Sequence, residues 1–426
     1  MPEGAPELNS PYYETIGGMG KSETVPALRK PWNRESVSGT SAGNRQRALV
    51  VAQSFSMEMN ANRPLTAACV LSRLAAVDVV TTDFDHWTKK AKKKSQLAPI
   101  EEIIYLKTMP YRDNVSVGRL LSHLLFSLSA AWFFLKHRDR YNILYVTLPF
   151  NTLAWLVLRN ARAQWKIVDV MDIWPDVLPF SRRQLQLFRP VFALWRRLFN
   201  RSAGAADVMM AVSDSFFQEA SKYVDENCKS RRFYLGEVNL QRAVPKNTVL
   251  TIAYSGNLGR LYDFETLLDV MTEAERGSLQ LFIVGDGDRR DWLLSELKQR
   301  GLPHQYFGSV YDPVELGTIL SSAHLGFNGF VNTSAAFSTK ASTYFAAGLP
   351  ILNSMEGDLQ KLVVEHGLGF NYRGGDRESL RRCFSQIDPA GLASMSKNCT
   401  RFFTAELDRT KIREQMYVFL RECMES

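Results

Sequence analysis

The densest candidate chemistry lies at residues 255–260, Ser-Gly-Asn-Leu-Gly-Arg, directly after the strand-like run Leu250–Ser255. Gly256, Asn257 and Gly259 form a glycine-rich turn at the carboxyl end of that run. There, bare backbone N–H groups can approach a phosphate, and a following helix adds its positive end. Arg260 supplies a guanidinium able to take two phosphate oxygens at once. A purely structural strand-to-helix turn would read the same way. Asp172 and Asp176 flank Trp174–Pro175 just past the strand-like Ile167–Val170, where parallel sheets present functional side chains. A structural cap is the competing reading there. Asn62 and Arg63, within Asn60–Pro64, stand at a loop-to-helix junction suited either to contacting a ligand or to capping the helix.

These residues need a scaffold, and the pattern of the chain supplies one. Short β-branched runs at Ala48–Val51, Val77–Thr82, Ile143–Thr147 and Ile167–Val170 alternate with helical stretches, the first of them Leu65–Leu74. From about Val249 the rhythm restarts with Leu250–Ser255, Leu279–Val284 and Tyr306–Gly308, separated by helices at Glu265–Ala274, Arg290–Arg300 and Pro313–Ser322. Strands alternating with helices predict parallel sheets. The expected architecture is α/β, with two Rossmann-like doubly wound domains facing a cleft. Gly, Pro and Ser supply 16 of the first 45 residues, so residues 1–45 read as a disordered tail. The first domain is expected over 46–243 and the second over 248–400, with the basic, Pro-containing stretch Ala243–Asn247 as linker. Residues 401–426 read as a helix returning to the first domain.

The 426 residues are 45% hydrophobic and 23% charged, with a formal net charge of +8. That composition excludes collagenous, coiled-coil and wholly disordered chains and favours polyanionic partners. Five scattered cysteines give neither a disulfide framework nor a zinc site, and none of the six histidines falls at metal or triad spacing, so no metal is expected. The chain opens without a charged head followed by an apolar stretch, so no secretory signal is expected, and a reducing cytoplasm fits.

Tyr254–Arg260, Val284–Asp288 (Val-Gly-Asp-Gly-Asp), Gly308–Glu315, Lys340–Pro350 and Glu356–Leu362 follow one another in an order and spacing that resemble the donor domain of family-four retaining glycosyltransferases with the GT-B fold. The bacterial surface or capsular polysaccharide type is the most similar. Val80–His86, Asp172–Asp176 and Ala211–Ser215 extend the resemblance over roughly residues 48–426. It implies a transferase that moves a sugar, with retention, from a nucleoside-diphosphate sugar of UDP or GDP type to a glycan acceptor, oligosaccharide or lipid-linked. The nucleotide sugar is a co-substrate, and no cofactor is implied. On this resemblance Lys340 offsets the charge of the leaving diphosphate, with Arg260 as its partner in catalysis. Gly256, Asn257, Gly259, Gly285 and Gly287 lie near the nucleotide. Asn62, Arg63, His86 and Asp172 are the acceptor-side candidates. The family's paired glutamates are replaced by Ala335 and Thr343, which leaves Thr343 and Asp358 as the remaining candidates for ribose or sugar contacts.

Leu120–Leu135 is too short to cross a bilayer and reads as a buried helix of the first domain, with partial insertion into one leaflet as the competing reading. Phe188, Phe192, Trp195 and Phe199, crowded by arginines, suit either a core-facing amphipathic helix or an anionic membrane surface. Lys89, Lys90 and Lys92–Lys94 form a basic loop, ordinarily solvated, that would otherwise grip a lipid pyrophosphate or headgroups. The expected location is cytoplasmic, with peripheral contact at the inner face of the plasma membrane. A sugar-nucleotide epimerase and a catalytically inactive glycan-binding relative are the competing classes. Nucleic-acid binding is not expected, because no such motif is present.

Overall fold

The computed structural model describes residues 46–55, 62–86, 89–94, 96–112, 116–174, 186–273, 278–331 and 337–425. The expected tail over 1–45, Ala335 and Asp176 lie outside them. The chain divides into two compact units, one of residues up to Phe233 together with those from Arg413, the other Tyr234–Ile412.

The first unit is built on seven parallel strands: β1 (Arg47–Val51), β2 (Ala76–Thr82), β3 (Glu102–Leu106), β4 (Ile143–Leu148), β5 (Trp165–Val170), β6 (Val208–Ala211) and β7 (Lys229–Arg232). Their order across the sheet is β3-β2-β1-β4-β5-β6-β7. The helices are α1 (Arg63–Leu71), α2 (Val117–His137), α3 (Asn151–Arg159), α4 (Arg189–Ala203) and α5 (Asp214–Ser221). Central strands such as β4 are buried throughout, as parallel strands covered on both faces must be. Leu49, Leu144, Val146 and Val168 meet Phe126, Phe134, Leu153 and Phe199 in one apolar core under α2, α3 and α4. Capping residues start the helices: Asn62 accepts from the Leu65 N–H, Ser116 from Arg119 and Ser213 from Phe216. The C-terminal residues also pack here, through the Arg73–Glu414 ion pair and the Phe233–Phe419 ring contact.

The second unit carries six parallel strands: β8 (Leu250–Ser255), β9 (Leu279–Val284), β10 (His304–Gly308), β11 (Leu325–Asn328), β12 (Ile351–Asn353) and β13 (Gly369–Asn371), in the order β10-β9-β8-β11-β12-β13. Its helices are α6 (Phe264–Glu273), α7 (Arg290–Gln299), α8 (Pro313–Ser322), α9 (Thr339–Ala346), α10 (Asp358–His366), α11 (Arg377–Ser385) and α12 (Pro389–Phe402); α13 (Arg409–Glu425) ends the chain. In both sheets the winding reverses, between β1 and β4 and between β8 and β11, and crevices at such reversals take ligands.

The 243–247 stretch, expected as the linker, is bound to the end of α8: the Asn247 N–H donates to the Ser322 carbonyl at 3.0 Å and Lys246 Nζ to that of Ala323 at 2.5 Å. A cation on the last carbonyls of a helix is a favourable cap. The division between units falls ahead of it, at Phe233/Tyr234. Helix α2, expected to be buried, buries only one of its two apolar faces. Phe126, Ala130 and Phe134 are enclosed, while Leu120, Leu128 and Trp132 are more than half exposed.

Candidate functional site

The turn after β8 and the turn after β9 form one structure. Gly256 has φ +138° and Gly285 φ +132°, a region that L side chains avoid. A Cβ on Gly285 would lie 1.8 Å from the Gly256 carbonyl oxygen. Hydrogen bonds join the two turns, from the Gly256 N–H to the Val284 carbonyl, from Leu258 to Asp286 and from Arg289 back to Leu258, each 2.9 Å. The Tyr254 hydroxyl donates to the Asn257 carbonyl. Gly287 lies under Asn257 and Leu258, where a Cβ would come within 2.4 Å of Asn257 Oδ1. Of the predicted group, Gly256, Asn257, Gly285 and Gly287 are thus gathered at the carboxyl ends of β8 and β9, beside the reversal point of the second sheet, and Gly259 follows in the same turn as Gly256.

Lys340, in the first turn of α9, lies over the first of these turns. Its aliphatic chain passes 3.2 Å from where a Gly256 Cβ would be. Its ammonium sits 3.6 Å from the ring centroid of Tyr262, 5.0 Å from that of Phe330 and 5.6 Å from that of Tyr254. Cation–π attraction offsets part of the lost hydration. No carboxylate pairs with Lys340 among the described residues, and burial drives its pKa well below the ordinary lysine value. The three rings come from β8 and from loops after β8 and β11, separations that no local spacing reveals.

Helix α9 is placed by Tyr344. Its hydroxyl donates to the Phe327 carbonyl at 3.1 Å and accepts from the Ser255 N–H at 2.9 Å, bracing the ends of β11 and β8. Thr343 points elsewhere: its hydroxyl donates to Glu237 Oε2 at 3.3 Å, while Oε1 of the same carboxylate pairs with Arg409 at 3.0 Å. Asp358 lies buried at the first residue of α10. Arg260 is largely exposed and leans toward Asp288 at 3.7 Å. It also borders an open pocket of ≈ 910 Å³ beside α6, whose other walls include Asp263, Glu265, Trp292 and Arg377. The sequence pointed to none of those four. Asp263 is committed structurally, accepting from Thr266, Tyr372 and the Gly375 N–H.

In the first unit two of the four acceptor-side candidates have structural partners. Asn62 caps α1 and donates to the Ser54 carbonyl at 3.2 Å. Arg63 is buried and ion-paired with Asp169 at 2.7 Å, with a further bond to the Phe233 carbonyl. The other two lie around Arg119. Burial and the nearby Arg119 and Lys89 charges push His86 down to about 2, and its Nδ1 lies 2.5 Å from the Tyr111 hydroxyl. Asp172 is pushed up to about 6 by burial, against the hydrogen bonds it accepts from the Ile173 N–H and Trp174 Nε1 and the pull of Arg119. Arg119 Nε donates to His123, whose ring stacks on Trp174, and the guanidinium covers the same indole at 5.1 Å. Arg119, Tyr111, His123 and Trp174 were not legible as one group, because α2 and the ends of β3 and β5 bring them together. In the basic loop, Lys92 turns inward to the Thr81 and Thr82 hydroxyls, and burial lowers it to about 8.

No protein-family model matches the chain, and no curated protein is similar to it in sequence. Solved structures do resemble it. Sucrose-phosphate synthase from Thermosynechococcus elongatus superposes with a TM-score of 0.65 at 16% identity, over 89% of this chain and 100% of that one. HepE from Anabaena, in complex with UDP and glucose, does so with a TM-score of 0.59 at 17% identity, over 89% and 100%. WaaG, a glycosyltransferase involved in lipopolysaccharide biosynthesis, gives 0.56 at 13% identity, over 87% and 98%. Two parallel-sheet α/β units in this arrangement of strands, with these structural relatives, give the chain the GT-B fold.

Proposed function

We propose that the protein is a glycosyltransferase that moves a sugar, with retention, from a nucleoside-diphosphate sugar of UDP or GDP type to a glycan acceptor, lipid-linked or oligosaccharide, in surface polysaccharide biosynthesis. The observation that carries this reading is Lys340, a partly buried lysine without a carboxylate partner among the described residues, held over the Gly256 turn at the end of β8. An anion of diphosphate size supplies the missing counter-charge there. The structural relatives crystallised with UDP and UDP-glucose add support.

In the reaction, the bond between the anomeric carbon and the diphosphate oxygen breaks as the acceptor hydroxyl oxygen bonds to that carbon on the same face. The acceptor proton passes to the departing diphosphate oxygen, so no side-chain base is required. Lys340 and the turn N–H groups stabilise the charge that builds on the diphosphate. Arg260, exposed and only loosely held by Asp288, is free to swing onto a phosphate oxygen. Asp172 and His86, around Arg119, bind acceptor hydroxyls on this reading. A cytoplasmic location is where nucleotide sugars are supplied, and a lipid-linked acceptor brings the protein to the inner membrane face.

Calorimetry with UDP, GDP and their glucose and mannose conjugates, repeated with Lys340→Ala and Arg260→Ala, tests the donor site. Selective binding weakened in both variants is the expected result. Binding to none of these nucleotides would sink the reading. Donor binding with no sugar transfer to any glycan acceptor would favour an inactive relative, and interconversion of the donor sugar without an acceptor would favour an epimerase.

A further inference from the structure

Residues 261–263 and 329–331 pair as a short antiparallel strip. The Val331 N–H donates to the Leu261 carbonyl at 2.9 Å and the Asp263 N–H to that of Gly329 at 3.2 Å, with Tyr262 opposite Phe330. Side chains alternate across such a strip. Tyr262 and Phe330 turn to one face, where their rings hold the Lys340 ammonium. Asp263 and Val331 belong to the other face, and that face walls the ≈ 910 Å³ pocket beside α6. The strip therefore separates the pocket from Lys340, and Arg260, at the pocket rim, is shared with the donor turn.

A second wall is organised before any ligand arrives. The Arg289 guanidinium lies over the Trp292 ring, 3.4 Å from its centroid, and donates to Glu265 at 2.6 Å. Arg289 is largely buried, and its backbone N–H is bound to the Leu258 carbonyl. An indole fixed by a stacked guanidinium loses little freedom when a ligand lies against it. Val331 adds another apolar surface to the same pocket and is half exposed.

The polar lining is of mixed sign. Glu265, Asp269 and Asp288 keep exposed carboxylates, and Arg260 and Arg377 keep exposed guanidinium groups. A polyanion would meet the carboxylates, and a cation would meet the arginines. A neutral polyol meets neither cost, because each hydroxyl both donates and accepts, so that both kinds of group serve it. The C–H face of a pyranose ring is apolar and suits an indole or a valine. The pocket volume lies within the roughly 300–1,000 Å³ of small-ligand sites and has room for more than one such ring.

We propose that this pocket is a second saccharide site. It binds an uncharged oligosaccharide, with Trp292 and Val331 against the ring faces and Glu265, Asp269 and Arg377 on the hydroxyls. The sugar held here is not the one transferred, since the Tyr262–Phe330 strip stands between it and Lys340. The inference goes beyond the proposed reaction and does not rest on it.

The experiment is saturation-transfer NMR of the full-length protein with maltotriose, cellotriose, mannotriose and chitotriose, each without and with saturating UDP. At least one of them should receive saturation and keep it in the presence of UDP. Trp292→Ala should weaken that binding by about tenfold or more, the loss typical of an aromatic anchor. Val331→Asp, at an exposed position, should also weaken it while leaving the melting temperature and the UDP-glucose affinity unchanged. Saturation of none of the four sugars, displacement by UDP, or unchanged sugar binding in a folded Val331→Asp protein would overturn the proposal. Sugar binding weakened by both pocket variants, in a protein that binds no UDP, would uphold this site and remove the donor reading.

Discussion

Replacing Lys340 by methionine should stabilise the free protein while weakening its donor binding. Methionine keeps the aliphatic length that packs across Gly256 and removes a charge that no carboxylate compensates among the described residues. The unfolded lysine titrates near ~10.4, and the folded one well below that. Between the two values the unfolded chain binds more protons, so this group makes stability rise with pH across that window and destabilises the fold below it. Filling such a site with an apolar side chain typically contributes about 0.5–2 kcal/mol. In a unit of this size, each kcal/mol moves the melting temperature by about 2–4 °C. Binding should change in the opposite direction. A lost hydrogen bond from a charged donor costs about 1.5–3 kcal/mol, or about ten- to a hundredfold in Kd for UDP-glucose. A second signature follows in the wild type. If the donor diphosphate restores the ammonium, binding takes up a proton, and Kd tightens by about tenfold for each pH unit of acidification between the free and bound pKa values. Scanning calorimetry of both proteins and titration calorimetry in buffers of different ionisation enthalpy measure all of this. A lower melting temperature for Lys340→Met, or unchanged UDP-glucose affinity, would refute the reasoning.

Gly285→Ala places a Cβ 1.8 Å from the Gly256 carbonyl at φ +132°, so a loss of at least about 2 kcal/mol in urea unfolding should accompany loss of UDP-glucose binding. Arg63→Met leaves Asp169 buried with the Tyr145 hydroxyl as its remaining strong partner among the described residues; the expected cost is about 3–5 kcal/mol, and a loss under about 1 kcal/mol would show that the pair does not brace the sheet. Asp172 has a folded pKa of about 6 against 3.8 for the free group, so the folded state holds the extra proton between those values and stability falls as pH rises through them. Asp172→Asn should flatten that slope and add at most about 3 kcal/mol above pH 6, read from urea midpoints across the range.

The strand–helix alternation was legible because β1, β2, β4, β5, β8 and β9 are largely apolar runs of ordinary strand length. β11, β12 and β13 are three or four residues long, too short to show a period, and they exist because the neighbouring ladder holds them. The glycine turns were legible, since positive φ at a strand end leaves glycine in the sequence. The surroundings of Lys340 were not, because Tyr262 and Phe330 reach it through the fold. Arg63 looked like a ligand group because its partner Asp169 is 106 residues away. Helix α2 misled for a physical reason: a helix that is apolar all round ordinarily reads as core, and composition alone does not tell its enclosed phenylalanines from its open leucines.

The brace at Tyr344 has an evolutionary corollary. Its ring fills the space beside Gly326, where even a methyl group would come within 2.5 Å, while its hydroxyl ties the ends of β8 and β11. A larger residue at 326 would expel the ring, and a smaller one at 344 would leave both strand ends unbraced and release the helix that carries Lys340. Positions 326 and 344 are therefore a locked pair, and a lineage that changes the donor it accepts has to vary the rim around them and inherit this joint intact.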